Sequence, residues 1–468
     1  MQIKLSLQNT KSAFPWAVFW ISSFVFLFLF RFGIALRLSG TFDERCYLSW
    51  AEKLVGANAI GCSGSSHPPG IAIVWLPAAF LGRILAAFFG ESSENWIAAL
   101  CGLQSLFLWM ASLFLMREAL QRKAGPQSDL ISILLILSVP VLFFSATRTL
   151  LVHSAEFFLG TLVLYCLFKG WVIASVFSTV LLCTVRPSDF PYLFPLMIGL
   201  SEDKRTKKAF YFIVFFLIFF SLILGYIGFI KSYHSTHLPF LLKNFDWYNA
   251  LLIFFRTDFG IVWTQPLLLA WILYIFKNKR GLDGQSQQAI AAIGILFFIA
   301  LIWPTHGSSF GYRYLIGVYP LVFFTLLKMD FNFTRVLNSL SLRFLVLYQV
   351  VWLTLLYWVA PASANLWPWK DLNYRGLAPP YGVVFSWFQN LPEFLGLIQF
   401  TPFGYWLFKI QGKSVTFQLM GQQMDYGLSG YLGLVFHGFT LLFLMLFLLS
   451  SYFLIKTSCT FKRLLSKQ

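Results

Sequence analysis

An acidic pair, Asp43 and Glu44, directly follows the first long apolar run of this chain and is itself followed by Arg45. A carboxylate can act as a general base when its charge is kept and aimed at a substrate hydroxyl. Nearby cations such as Arg45 and Lys53 favour the ionised form of an acid. Such a pair is also typical of a solvated surface, so its chemistry depends on what lies beside it.

Two further patterns contain a histidine. His67 opens a His-Pro-Pro-Gly turn, in which the prolines favour an extended backbone. This histidine either contacts a ligand or holds the turn. His153 and Glu156 stand three residues apart, so they share one face of a helix. Ionisable groups inside a membrane are costly and usually functional. The alternative is a stabilising ion pair between Glu156 and Arg148 or Arg186.

Three more turns carry an arginine or an aspartate. Arg186 precedes Pro-Ser-Asp, Asp258 lies in Thr-Asp-Phe-Gly, and Tyr312 and Arg313 lie in the glycine- and serine-rich segment GSSFGYRYL. A paired or capped helix end is the simpler interpretation of the first two. An arginine at membrane depth needs an anionic partner, either a carboxylate or a phosphate. Arginines and carboxylates gathered near one leaflet suit a substrate with a lipid-linked phosphate.

The composition determines the solvent in which these residues must be positioned. Of 468 residues, 58% are hydrophobic and only 11% are charged, whereas a soluble domain carries charge on about a quarter of its positions. Long apolar runs without alternation favour helices over barrel strands. We predict an all-α polytopic membrane protein with about 12 spans, or 11 to 13, since each needs roughly 20 apolar residues. The predicted spans are 15–37, 93–116, 128–147, 151–168, 171–186, 189–200, 209–230, 259–276, 287–303, 313–327, 344–360 and 430–455.

The formal net charge of +17 fits this topology. Cytoplasmic loops of membrane proteins are rich in Lys and Arg, and here basic residues gather in alternate gaps, as at 117–123 and 204–208. Both termini are therefore predicted to be cytoplasmic, in a multi-pass protein of the inner (plasma) membrane. The charge then gives no reason to expect nucleic acid as a partner. The first apolar run is too long for a cleavable signal peptide.

The gaps on the other side are predicted to form the outer surface. Residues 1–360 would form a transmembrane catalytic module whose first outer loop, 38–92, carries interfacial helices. Segment 71–89 is apolar enough to span, but placing it in the outer interface keeps the basic loop at 117–123 cytoplasmic. The aromatic segment 361–429 is predicted to form an outer loop or cap, and 430–468 the last span with a cytoplasmic tail. The prolines at 187 and 191 are expected to break the spans 171–186 and 189–200.

Cysteine and metal patterns add little to these predictions. Cys46 and Cys62 share the first outer loop, where a disulfide and two free thiols are both possible. The cysteines lack metal-ligand spacing, and no nucleotide-binding glycine motif is present. The sequence therefore predicts neither a cofactor nor a metal site, although a divalent cation is compatible with the carboxylates.

The order of these motifs resembles the GT-C superfamily of integral-membrane glycosyltransferases, which use polyprenyl-phosphate sugars. The acidic pair after the first span, the HPP turn, the carboxylate of a later span, and the TDFG and GSSFGYRYL segments carry the resemblance over roughly residues 15–330. The branch related to protein O-mannosyltransferases and the lipid A aminoarabinose transferase is the most similar. The resemblance implies an inverting hexosyl- or pentosyltransferase of the cell envelope, acting at the outer, periplasmic face.

The resemblance also implies roles for individual residues. Asp43, with Glu44 beside it, would be the catalytic base or orient the acceptor, which is a lipid, a glycan or a protein. The leaving polyprenyl phosphate and its sugar would be held by a second group of residues, and a third group would support the site. The binding group is Arg45, His67, Arg186, Tyr312 and Arg313, and the supporting group is His153, Glu156 and Asp258.

Two positions depart from the pattern of these transferases. Cys46 stands where some members carry an arginine, and His67 replaces the lysine of a Lys-Pro-Pro turn. Two other functions remain open: an O-antigen ligase or polymerase, and a transporter or flippase of lipid-linked sugars. A transporter should show an internal repeat and polar residues at mid-bilayer, whereas the polar residues here are predicted at the outer ends of spans.

Overall fold

The computed structural model describes residues 42–57, 67–90, 93–124, 150–202, 261–279, 282–302, 315–329, 416–419 and 422–425, with isolated positions at 254, 344–345, 348–349, 442 and 445. Within these ranges the chain is helical apart from one short hairpin. The helices are α1 (Phe42–Leu54), α2 (Gly70–Phe89), α3 (Ser93–Ala124), α4 (His153–Lys169), α5 (Val172–Val185), a 3-10 helix (Pro187–Tyr192), α6 (Leu193–Glu202), α7 (Ile261–Thr264), α8 (Pro266–Lys277), α9 (Gly284–Ile302) and α10 (Val318–Lys328).

Two helices of the described part are long and apolar enough to cross a membrane, namely α2 and residues Ser93–Gln121 of α3. Helix α2 leaves large apolar side chains on its surface, including Phe80 (58% exposed) and Phe88 (81% exposed). A helix inside a soluble core would bury such side chains, whereas lipid solvates them. These two helices are the structural support for a membrane protein. The predicted spans 15–37, 128–147 and 209–230 lie outside the described residues, as do nearly all of 344–360 and 430–455.

The break that the sequence predicts near residue 187 is present. Helix α5 ends at Val185, Arg186 is extended (φ −146°, ψ 99°), and the 3-10 helix with Pro187 and Pro191 leads into α6. Arg186 leaves the helical region because the ring of a following proline disfavours it. The pair of short helices is therefore confirmed at the level of the backbone.

The single span predicted over 259–276 is instead divided. Helix α7 ends at Thr264, Gln265 has φ −140° and ψ 48°, and α8 begins at Pro266. The cause is again a proline, which lacks an N–H and pushes its predecessor out of the helical region. Elsewhere the helix starting at Ser93 runs on to Ala124, eight residues beyond the predicted span of 93–116.

Helix α3 is the long axis on which the neighbouring helices pack. Its N-terminal half contacts α2, where the indole of Trp75 donates a 2.9 Å hydrogen bond to Ser105 and an added Cβ on Gly82 would touch the backbone of Ile97. Its C-terminal half contacts the end of α4 through Glu118. With 32 residues, α3 is about 48 Å long, and the bilayer core is about 30 Å thick. Part of α3 can thus extend past the core, and the interfacial position of 71–89 stays a prediction.

The remaining helices build a core around α4. Helix α4 packs between α3 and α5, and α10 packs against α4, α8 and α9. The largest fully buried side chains include Trp75, Trp96 and Trp109 on α2 and α3, with Phe157 on α4. This packing brings the start of α4, the end of α5 and the start of α10 to one place, where the polar residues described below lie.

The predicted cap, 361–429, contains the one described departure from an all-helical chain. Strands β1 (Thr416–Leu419) and β2 (Gln422–Asp425) form an antiparallel hairpin in which Thr416 pairs with Asp425 and Leu419 with Gln422.

Candidate functional site

Four ionisable side chains meet at the N-terminal end of α4, and we call them the charge cluster: His153, Glu156, Arg186 and Asp189. His153 and Glu156 lie one helical turn apart, and His153 Nδ1 is 2.9 Å from Glu156 Oε2. The guanidinium of Arg186 donates to the same carboxylate oxygen. Glu156 is 0%, Asp189 1% and His153 4% exposed. The sequence's alternative pairing of Glu156 with Arg186 is thus present.

The helix break after α5 positions the two residues that come from outside α4. Because Arg186 is extended, its side chain turns back toward α4, and its Nε donates a 3.1 Å hydrogen bond to Ser188 Oγ. Asp189 follows in the first turn of the 3-10 helix. Two motifs that lie 30 residues apart in sequence therefore join in one cluster.

Gly317 forms the floor of the charge cluster. A Cβ added to this glycine would lie 2.9 Å from Asp189 Oδ1 and 3.1 Å from Glu156 Oε1. Both carboxylates therefore point at the same small patch of backbone, and any larger residue would push them apart. Glu156 Oε1 and Asp189 Oδ2 are buried without a hydrogen-bond partner. Buried polar atoms are normally satisfied, and the exceptions concentrate at functional sites.

Tyr192 supports this floor and was not foreseen from the sequence. Its hydroxyl donates to the carbonyl oxygen of Gly317, and its ring lies against Gly160, where an added Cβ would overlap the hydroxyl. Gly160 stands one turn after Glu156, on the same helix face. A glycine on the same helix face as an acid is only a weak signal in the sequence, too weak to predict this contact.

The segment predicted to be the first outer loop contributes α1, which carries the acidic pair. Asp43 lies in the first turn of α1, although the structure does not describe its side chain; Glu44 is buried, with 3% exposure. Arg45, predicted to bind phosphate, donates to Glu94 at 2.7 Å and to Glu52 at 3.3 Å. Two carboxylates thus engage the guanidinium of Arg45, which supports a role in holding α1 against α3.

Glu52 is a second residue that sequence reasoning missed. It is 0% exposed, and its Oε1 atom has no hydrogen-bond partner. Burial raises the pKa of Glu52 to about 7, Arg45 acts in the opposite direction, and Glu94 raises it further. The pKa of this carboxyl therefore lies near neutral pH, on the same helix as the acidic pair.

The His-Pro-Pro-Gly turn connects the first loop to the charge cluster. The ring of His67 meets that of Tyr47 edge-on, with centroids 4.8 Å apart. Gly70 lies so close to Thr184 and Val185 that an added Cβ would overlap their backbone. Val185 is the residue before Arg186. The turn therefore lies between α1 and the arginine, and its glycine permits the close approach.

Cys46 of α1 is disulfide-bonded, while Cys101, Cys166 and Cys183 are free thiols. The sequence offers Cys62, in the same loop, as a partner, but that residue lies outside the described part. Disulfides persist on the oxidising side of a membrane. The placement of residues 38–92 on the outer side stays a prediction.

Three of the predicted site residues, Asp258, Tyr312 and Arg313, lie outside the described residues. Among the residues that the structure describes, no group of three His, Cys, Asp or Glu side chains is arranged to hold a metal ion. The charge cluster has two carboxylates and a histidine, but Arg186 occupies the position beside Glu156. In the described part, this site can bind an anion through Arg186 and a proton through its carboxyls.

Comparisons with protein-family models, with curated proteins and with solved structures found no match to this chain. The function must therefore be argued from the chemistry of the site itself.

Proposed function

We propose that this chain is an integral-membrane glycosyltransferase that moves a sugar from a polyprenyl-phosphate donor to a hydroxyl acceptor at the outer face of the membrane. The observation that carries the proposal is the contact between the first loop and the charge cluster. Tyr47 touches His67, and Gly70 touches the backbone immediately before Arg186. Helix α1, with its acidic pair, and the mostly buried Arg186 thus lie on the two sides of the His-Pro-Pro-Gly turn.

The chemistry requires a base for the acceptor and a cation for the leaving group. The acceptor oxygen attacks the anomeric carbon of the sugar while the bond from that carbon to the phosphate oxygen breaks. The acceptor proton passes to a carboxylate of the first loop, Asp43 or Glu44, and the electron pair leaves with the polyprenyl phosphate. A positioned base typically contributes about 10²–10⁴-fold.

Arg186 is suited to the phosphate because its guanidinium offers donors in a fixed geometry that matches phosphate oxygens. Stabilisation of developing charge is strongest where water is excluded, and the side chain of Arg186 is only 11% exposed. His67 and the undescribed Tyr312 and Arg313 complete the proposed phosphate and sugar contacts. His153, Glu156 and Asp258 are assigned to support them. The proposed enzyme needs no cofactor.

The proposal is tested by reconstituting the full chain in liposomes with polyprenyl-phosphate sugars and acceptor glycans, lipids or peptides, and measuring new glycosidic bonds. We expect transfer by the wild type and a loss of about 10²-fold or more in Asp43→Asn or Glu44→Gln. Asp283→Asn, at the opposite end of the bundle, is the matched control and should keep its activity. Wild-type protein that transfers from no donor would overturn the proposal.

A transporter or flippase of lipid-linked sugars is the second candidate, and one observation favours it. The carboxylates of the charge cluster are fully buried, as in the proton relays of membrane pumps. The same liposomes separate the two functions: a flippase moves the labelled lipid between leaflets without forming a glycosidic bond. An O-antigen ligase or polymerase would instead join preassembled lipid-linked glycans, which the choice of donor detects.

A further inference from the structure

The charge cluster holds two carboxyls but only one permanent cation. A Cβ added to Gly317 would lie 2.9 Å from Asp189 Oδ1 and 3.1 Å from Glu156 Oε1, so these two oxygens are at most 6.0 Å apart. Both side chains are buried. Arg186 supplies one positive charge and is bound to Glu156. If both carboxyls were ionised, the cluster would carry an uncompensated negative charge wherever His153 is neutral.

The two carboxyls differ in what surrounds them. One oxygen of each carboxyl, Glu156 Oε1 and Asp189 Oδ2, is buried with no hydrogen-bond partner. The other oxygen of Glu156 accepts from Arg186 and faces His153 Nδ1, whereas Asp189 has no ion pair within the described part. A buried carboxylate without a partner is strongly disfavoured and takes up a proton instead. Of the two carboxyls, Asp189 is therefore the one that the geometry favours in its protonated, neutral form.

The elements packed around Asp189 bring no further cation within the described part. Helices α5 and α9 contain no charged residue at all. The charged residue of α6, Glu202, ends that helix, and Lys328 of α10 lies at the far end, bound to Asp283. The other titratable neighbours are the thiol of Cys183 and the phenol of Tyr192, both neutral groups. His153 contacts Glu156 and belongs to the other side of the cluster.

We propose that the Glu156–Asp189 pair above Gly317 is a proton-binding site that holds one proton, carried by Asp189, while Glu156 stays ionised against Arg186. The site takes up a single proton from water or a neighbouring acid, and no covalent bond other than O–H forms. With Asp189 neutral, Arg186 faces one carboxylate rather than two.

A consequence for catalysis rests on the proposed function. A phosphate that binds Arg186 must compete with the carboxylates around it. Ionisation of Asp189 would add a second competing anion, so donor affinity should fall as this proton is lost. Asp189 is then a positioning residue that acts through Arg186, and it needs no contact with the substrate.

The proton is tested directly by infrared spectroscopy of the full-length protein in liposomes at neutral pH. The C=O stretch of protonated carboxyls should be present in the wild type and should lose the contribution of one carboxyl in Asp189→Asn, while the contribution of Glu52, whose pKa is about 7, remains. Asp283→Asn, which removes an ion-paired carboxylate, should leave the band unchanged. An Asp189→Asn spectrum identical to the wild type would overturn the proposal.

A second measurement avoids any variant. Wild-type protein produced with carboxyl-¹³C aspartate should show the contribution of Asp189 at lower frequency, while that of Glu52 stays in place. If no part of the band moves, no aspartate holds the proton and the assignment is overturned.

The pH profile of donor binding then separates this inference from the proposed function. Asp189→Asn, which mimics the neutral form, should bind a polyprenyl-phosphate sugar at alkaline pH where wild-type affinity has already fallen. If the contribution of Asp189 to the infrared band is found but no donor binds at any pH, the proton site stands and the proposed function fails. If the donor binds but that contribution is absent, the proton site fails.

Discussion

The two ends of helix α4 carry similar ion pairs in opposite surroundings. At its N-terminus Glu156 meets Arg186 and His153, all buried or nearly so. At its C-terminus Lys169 meets Glu118, whose side chain is 48% exposed. Exposed pairs contribute about 0–1 kcal/mol, whereas breaking a buried pair costs about 3–5 kcal/mol. The comparison teaches that an acid–base pair can be ordinary at one end of a helix and costly, hence a functional candidate, at the other.

The C-terminal end of α4 belongs to a layer of conventional caps and surface pairs. Lys328 of α10 binds Asp283 at 2.8 Å, and Asp283 Oδ1 accepts from the backbone N–H of Ser286 in the first turn of α9. Burial raises the pKa of Asp283, but the bonds from Lys328 and Ser286 outweigh it and hold the pKa below its usual value. Each charged group named here has its partner, so no chemistry needs to be assigned to this end.

The largest expected effect comes from removing the cation of the charge cluster. Arg186→Gln leaves Glu156 buried without its guanidinium, so we expect a loss of about 3–5 kcal/mol in unfolding free energy. Lys169→Gln removes the cation at the other end of the same helix and should lose less than about 1 kcal/mol. Denaturant unfolding of the purified protein in detergent measures both. Equal losses would show that burial does not distinguish the two ends.

Glu52 tests whether ionisation is also costly for a buried carboxyl outside the charge cluster. Its folded pKa of about 7 exceeds the ordinary value of 4.5, so the folded state binds more protons than the unfolded state between these two pH values. Stability should therefore fall as pH rises through this window, by about 3 kcal/mol in total. Glu52→Gln removes this dependence, so its stability relative to wild type should rise with pH.

Melting temperatures measured across this window give the result for Glu52. Glu118→Gln, which alters an exposed carboxyl, serves as the control and should follow the wild type at every pH. A Glu52→Gln profile parallel to the wild type would show that Glu52 is ionised throughout.

Gly317 offers a smaller and more local test of the charge cluster. Gly317→Ala places a Cβ against the carboxylates of Asp189 and Glu156, and overpacking of this kind costs about 1–3 kcal/mol. Gly294→Ala in α9 is the matched control, because nothing lies within 4 Å of its added Cβ. There we expect a gain of about 0.5–1 kcal/mol from the better helix former. Thermal unfolding of both variants measures these changes in stability. If Gly317→Ala is as stable as the wild type, the backbone at Gly317 can move away from the two carboxylates.

The smallest effect is expected at the exposed end. Lys328→Met removes the partner of Asp283, whose side chain is 52% exposed, so we expect a loss below about 1 kcal/mol that shrinks further at high salt. Unfolding measured at low and high ionic strength tests this. A loss as large as that of Arg186→Gln would remove the contrast between the two ends.

Much of the described helical organisation followed from the sequence. Long apolar runs require backbone hydrogen bonds within one segment, so the helices at 93–124, 153–169 and 284–302 were within reach of pattern alone. Prolines at 187 and 191 predicted the break after α5. The break at Gln265 was missed, because Pro266 was treated as part of one span. The hairpin at 416–425 was also missed, since its strands are only four residues each.

The candidate site was only half predictable. His153, Glu156 and Arg186 were singled out by residue type and position, because ionisable groups are costly in apolar surroundings and therefore conspicuous. Asp189 was noted only as part of a helix break. Gly317, Gly160 and Tyr192 had no signal strong enough to select them, because their roles depend on which backbone each one faces.

The sequence by itself determined that this chain has apolar helices in need of lipid, and it determined which charged residues would be expensive to place among them. Tertiary structure alone decided which of those residues meet. Residues 156, 186, 189 and 317 come from three separate segments, and no local rule relates their side chains. Their convergence depends on how α4, α5 and α10 pack, which is set by shape complementarity among many apolar contacts. That complementarity cannot be predicted from composition and periodicity.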